Sequence, residues 1–73
     1  MAKKQARDVE KVYSTKQFSA KLRRLADALE EGKKFSIQVS GKRIYVPGNA
    51  SISIEHERSE DSEEIEFQLT WEL

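Results

Sequence analysis

The chain has no cysteine, one proline, three glycines and one tryptophan in 73 residues. Without cysteine there is no disulfide scaffold, no cysteine-ligated zinc site and no thiol nucleophile. Long hydrophobic runs are also missing, whereas a bilayer-spanning helix needs about 20 consecutive apolar residues. No membrane span is therefore expected, nor is a secretory leader. Apolar residues make up 37% of the chain and charged residues 36%, against about 25% charged in an ordinary globular domain. With a mass of 8.4 kDa, one small domain is expected, with a core only just sufficient to hold it together.

Net charge is absent as well, with 13 basic and 13 acidic side chains, but the balance hides an asymmetry. Residues 1–43 carry 12 Lys/Arg and five Asp/Glu, a balance of +7; residues 44–73 carry Arg58 alone against eight acidic residues, a balance of −7. Such polarity points to interaction surfaces. The halves have two outlets: mutual neutralisation, within one molecule or across a dimer, or presentation of each sign to a partner.

Residues 1–8 are polar and read as a flexible basic tail ahead of a domain over 9–73. Residues 9–13 form a weak strand candidate at a sheet edge. Ser14 followed by Gln17 has the spacing of a capping box, with Tyr13 and Phe18 placed for a hydrophobic staple. Phe18, Leu22, Leu25, Ala26 and Leu29 then mark one face of a helix over about 15–31. Gly32 stops it, since glycine adopts the left-handed cap conformation cheaply.

The period changes from 3.6 to 2 after the helix. Phe35, Ile37 and Val39, then Ile44 and Val46, share a face if Ser40-Gly41 closes a hairpin by a two- or a four-residue loop. Pro47-Gly48-Asn49 is a turn. A second alternation sets Ile52 and Ile54 opposite Leu69 and Phe67, across the polar loop Ser59–Ser62. The same register opposes Glu55 to Glu66 and Glu57 to Glu64, which is unfavourable for like charges. The fold expected is α+β: one amphipathic helix on one face of a four-stranded antiparallel sheet, with residues 9–13 as a candidate fifth strand.

In order and spacing, these pieces resemble the amphi-Trp domain family of small bacterial and archaeal proteins. The likeness runs over about residues 9–73: a helix containing LRRLADALEEG, a hairpin ending in VPG, a strand SISIEHE, an acidic loop, and a closing strand EIEFQLTWEL with its near-terminal Trp. The resemblance implies a compact α+β domain. It brings no established biochemical activity and no catalytic residues.

Candidate sites are few. His56, the single histidine, lies in line with Ile52 and Ile54, while Glu55 and Glu57 point to the opposite face; a half-buried structural role is expected. Glu55, Glu57, Glu64, Glu66 and Glu72 form a candidate acidic surface, solvated or covered by a partner. Weak cation binding there is conceivable because hard cations take oxygen ligands, but acid–base catalysis would need burial. Lys16, Lys21, Arg23, Arg24, Lys33, Lys34, Lys42 and Arg43 form a candidate basic surface, extended by Lys3, Lys4, Arg7 and Lys11. Trp71 reads as packing rather than as a ligand pocket. No phosphate loop and no nucleophile–base motif is present.

The function expected is a non-enzymatic cytoplasmic interaction module, self-associating as a homodimer through the long final strand, whose edge offers unpaired backbone groups. No cofactor, metal or membrane enters this reading. The alternative is weak, salt-sensitive nucleic-acid binding through the basic helix and tail.

Overall fold

In the computed structural model, which describes residues 6–73, the helix α1 runs over Thr15–Glu31. Its first turn is closed by both halves of a capping box: Gln17 N–H donates to Ser14 Oγ and Ser14 N–H donates to Gln17 Oε1, each at 3.2 Å. Its last turn ends in a Schellman motif. Gly32 takes φ 66°, its N–H donates to the Leu29 carbonyl at 3.2 Å, and the Lys33 N–H reaches the Ala28 carbonyl at 2.8 Å.

Two antiparallel hairpins follow. Strands β1 (Phe35–Val39) and β2 (Lys42–Val46) pair Phe35 with Val46, Ile37 with Ile44 and Val39 with Lys42. The connection is therefore the two-residue loop. Ser40 and Gly41 both have positive φ, 47° and 79°, as a type I′ turn requires to match strand twist. Strands β3 (Ser51–Arg58) and β4 (Glu63–Thr70) pair in the expected register, with Ile54 opposite Phe67 and Ile52 opposite Leu69. Their loop is pinned by Ser59, whose Oγ accepts from the Ser62 N–H at 3.2 Å and whose N–H donates to the Ser62 carbonyl at 2.9 Å.

The α+β class holds, but the hairpins do not merge into one four-stranded sheet; they form two separate two-stranded sheets. Pro47, with no N–H to donate, ends the β2 ladder. The Ala50 N–H then closes a turn onto the Pro47 carbonyl at 3.3 Å, so β3 leaves without running beside β2. The candidate fifth strand is likewise not formed. Residues 9–13 have no regular structure, and Val9 and Val12 are exposed. That stretch carries too little apolar surface to hold an edge position. What fastens the segment is Arg7, whose Nη2 donates to the Val39 carbonyl at 2.7 Å. The tail reading for residues 1–5, with Lys3 and Lys4, lies outside the described residues.

The helix lies against β1. Arg24 holds it there: its guanidinium stacks 5.1 Å from the Phe35 ring centroid and donates to the Ser36 carbonyl at 2.7 Å. Of the described residues, only Phe35 and Val46 are buried apolar side chains, 8% and 7% exposed. Leu25 and Ala28 are half-buried, and Ala26, expected on the inner face, is exposed. An open apolar groove of about 630 Å³ runs between the helix and the two hairpins, with Tyr13, Phe18, Leu22, Ile44 and Trp71 among its walls.

Candidate functional site: the two faces of the second hairpin

The β3–β4 hairpin carries opposite chemistry on its two faces. Successive strand residues point to opposite sides, and the register sorts them. On one face lie Ile52, Ile54, Ile65 and Phe67, all between 62% and 64% exposed. Towards the hairpin tip this face ends in polar groups. His56 Nε2 meets Glu63 Oε2 at 2.7 Å, and Arg58 stands opposite Glu63 in the ladder. His56 is thus exposed rather than half-buried. Its partner is a diagonal neighbour on the other strand, not one of the glutamates beside it in sequence.

The other face is acidic. Glu57, Glu64 and Glu66 bring one carboxylate oxygen each within 4.8 Å of one another. Glu55 joins them through Gln68, whose Nε2 donates to Glu55 Oε2 at 2.9 Å and to Glu66 Oε2 at 3.0 Å. The amide oxygen of Gln68 accepts from Ser53 Oγ at 3.4 Å. The negative charge of Glu66 raises the Glu64 carboxyl above its ordinary value; lost hydration, the Glu57 charge and hydrogen bonds with both neighbours add to this. Glu72 stands apart, past the end of β4, in a hollow shared with Tyr45 and Trp71. Of the five carboxylates read as one acidic surface, the structure gathers four. It also supplies an organising residue, Gln68, that the sequence reading passed over. The signal was available, since Gln68 alternates with Glu66 and is diagonal to Glu55 in the predicted register.

The basic residues make different contacts. Lys21 is half-buried, its Nζ 4.8 Å from the Tyr13 ring centroid, and Arg24 is spent docking the helix on β1. Lys33 pairs with Glu31 at 2.8 Å, and Lys33 and Lys34 border a shallow hollow together with Asp27 and Glu31. Arg43 donates to Ser36 Oγ at 3.3 Å, while Lys16, Arg23 and Lys42 are exposed. Trp71 is half-buried, between the large groove and the Tyr45 hollow.

The sequence profile of a known domain matches residues 1–73, the whole chain, from the helix through both hairpins to Trp71. The chain belongs to the Amphi-Trp domain family. The match of this Amphi-Trp domain takes in residues 1–8 as well as 9–73. Comparison with curated proteins gives no match, and comparison with solved structures gives none either. Among the described residues, no helix is long and apolar enough to cross a membrane.

Proposed function

We propose that this Amphi-Trp domain is a non-enzymatic cytoplasmic interaction module whose first partner is a second copy of itself. One observation carries the reading: the chain buries Phe35 and Val46 while leaving the Ile52, Ile54, Ile65 and Phe67 face of β3–β4 open. Contiguous exposed apolar surface rimmed by polar groups is the usual mark of a protein interface. The test is solution mass by light scattering or sedimentation over a concentration series at low salt. A mass near twice 8.4 kDa supports the reading; one that stays at the monomer value up to millimolar protein rejects it.

The second reading, weak nucleic-acid binding, draws on Tyr45, 72% exposed next to Arg43, since an exposed aromatic beside a cation is what base stacking uses. Against it, Arg24 and Lys21 are engaged with Phe35 and Tyr13, and the acidic β3–β4 hairpin repels phosphate. A single-stranded oligonucleotide titrated at rising salt tests it, because phosphate contacts must weaken steeply.

A further inference from the structure

Resting on the self-association reading, we infer that the dimer is reciprocal: the apolar face of each copy's β3–β4 hairpin seats on the helix stripe Phe18, Leu22 and Leu29 of the other copy. Both surfaces are open in one chain. The three helix residues are 39–54% exposed, although their spacing is that of a buried stripe. The hairpin face stands off from its own helix, leaving a gap of about 310 Å³ between Leu25 and Leu29 on one side and Ile52, Ile54 and Phe67 on the other. Two such open wedges related by a two-fold axis interlock, and each contact then occurs twice.

The exposed surface leaves room for such a contact. A folded monomer of this mass exposes about 4,600 Å², whereas this chain exposes 7020 Å². The excess, about 2,400 Å², is comparable with the roughly 1,000–2,500 Å² that each partner loses in a permanent homodimer. Residues 6–12, exposed and without regular structure, account for part of it. The radius of gyration agrees in direction: 14.4 Å, against about 11 Å for a compact chain of this length.

Charge decides which surfaces meet. Residues 51–70 hold seven acidic side chains and one arginine. Packing two such hairpins face to face brings like charges together around the rim, which is costly. Seating the hairpin on the partner's helix avoids that opposition, because α1 carries four basic and three acidic side chains.

The absence of cysteine makes a direct test simple. Leu22→Cys and Ile65→Cys chains, one of them tagged for size, are mixed after brief unfolding and treated with a short bismaleimide. The proposal expects the mixed dimer to cross-link several-fold more than either variant with itself. Leu29→Cys with Ile54→Cys repeats the test in case one variant fails to fold. Preferential Ile65→Cys self-linking in a dimer of normal mass overturns the reciprocal geometry and leaves self-association standing. Absence of all cross-links with a monomeric wild-type mass overturns both.

Discussion

Gln68 donates to the Glu66 carboxylate at 3.0 Å while the same amide nitrogen reaches Glu55 at 2.9 Å. One neutral side chain thereby bridges two carboxylates that the β3–β4 ladder sets directly opposite each other. Hydrogen bonds to charged acceptors are among the stronger ones, and their loss in a half-buried position exposes the repulsion they offset. Gln68→Ala is expected to destabilise the domain by about 1 kcal/mol. Gln68→Glu, which adds another negative charge, is expected to cost more. Urea midpoints of the two variants check this, and an unchanged midpoint for Gln68→Glu would show that the acidic face carries no strain.

Glu64 sets a pH dependence of definite sign. Its carboxyl is raised above the ordinary 4.5 by Glu66 first, then by lost hydration and Glu57. The folded state therefore holds the proton more tightly than the unfolded state. The associated stability is fully present below the ordinary carboxylate value and is lost as pH rises through the raised one. Stability from this group is thus expected to fall as pH climbs above 4.5. Glu64→Gln should remove that slope and leave the variant more stable than the wild type at neutral pH. Denaturation midpoints from pH 4 to 7 for both chains decide it; parallel curves would assign the slope elsewhere.

The helix start is expected to behave as a local cap. Ser14→Ala removes the acceptor of the Gln17 N–H and should cost about 0.5–2 kcal/mol. Gln17→Ala, which removes only the return bond to the Ser14 N–H, should cost less. Equal midpoints for Ser14→Ala and wild type would place the start of the stable helix further along the chain.

Any side chain at Gly32 is expected to be strained at its present backbone angles. Nothing lies within 4 Å of where a Cβ would stand, yet φ is 66°. The cost is conformational rather than steric crowding from neighbours. Gly32→Ala should destabilise by about 1–2 kcal/mol, and Gly32→Asn, which accepts the left-handed region more readily, by less. Chemical denaturation of the pair checks the order.

The parts legible in the sequence were those that local periodicity or end chemistry controls. Ser14 and Gln17 marked the helix start, Gly32 its end, and alternation marked the inner faces of the strands and the β3–β4 register, leaving the first loop at two or four residues. Alternation could not say which strand edges meet, because a period of two fixes the face a residue takes and not the neighbour of its strand. The split at Pro47 was therefore missed. His56 was misplaced for a related reason: its partner Glu63 lies diagonally across the ladder, and only its neighbours in sequence had been considered. Arg24 is a surface charge, as its type marks it, and Lys21 is half-buried; what charge alone does not show is that their cationic heads lie over Phe35 and Tyr13.

Stability itself is expected to depend on protein concentration. Two buried apolar residues among those described are a small core for a chain that must offset the ordering of its backbone. If each copy's hairpin completes the other's core, folding and association are coupled, and mass action favours the native dimer as concentration rises. A tenfold increase adds about 1.4 kcal/mol per dimer, about 0.7 per chain, which for a domain of this size moves the thermal midpoint by about 3–6 °C. Phe67→Asp, placing a charge in the open apolar face, should lower the midpoint and abolish its concentration dependence together. Calorimetry on both chains from micromolar to millimolar protein separates the cases. A wild-type midpoint flat over that range would mean that one chain, with its open wedge, is stable alone, and the surplus surface would then have to belong to a different partner.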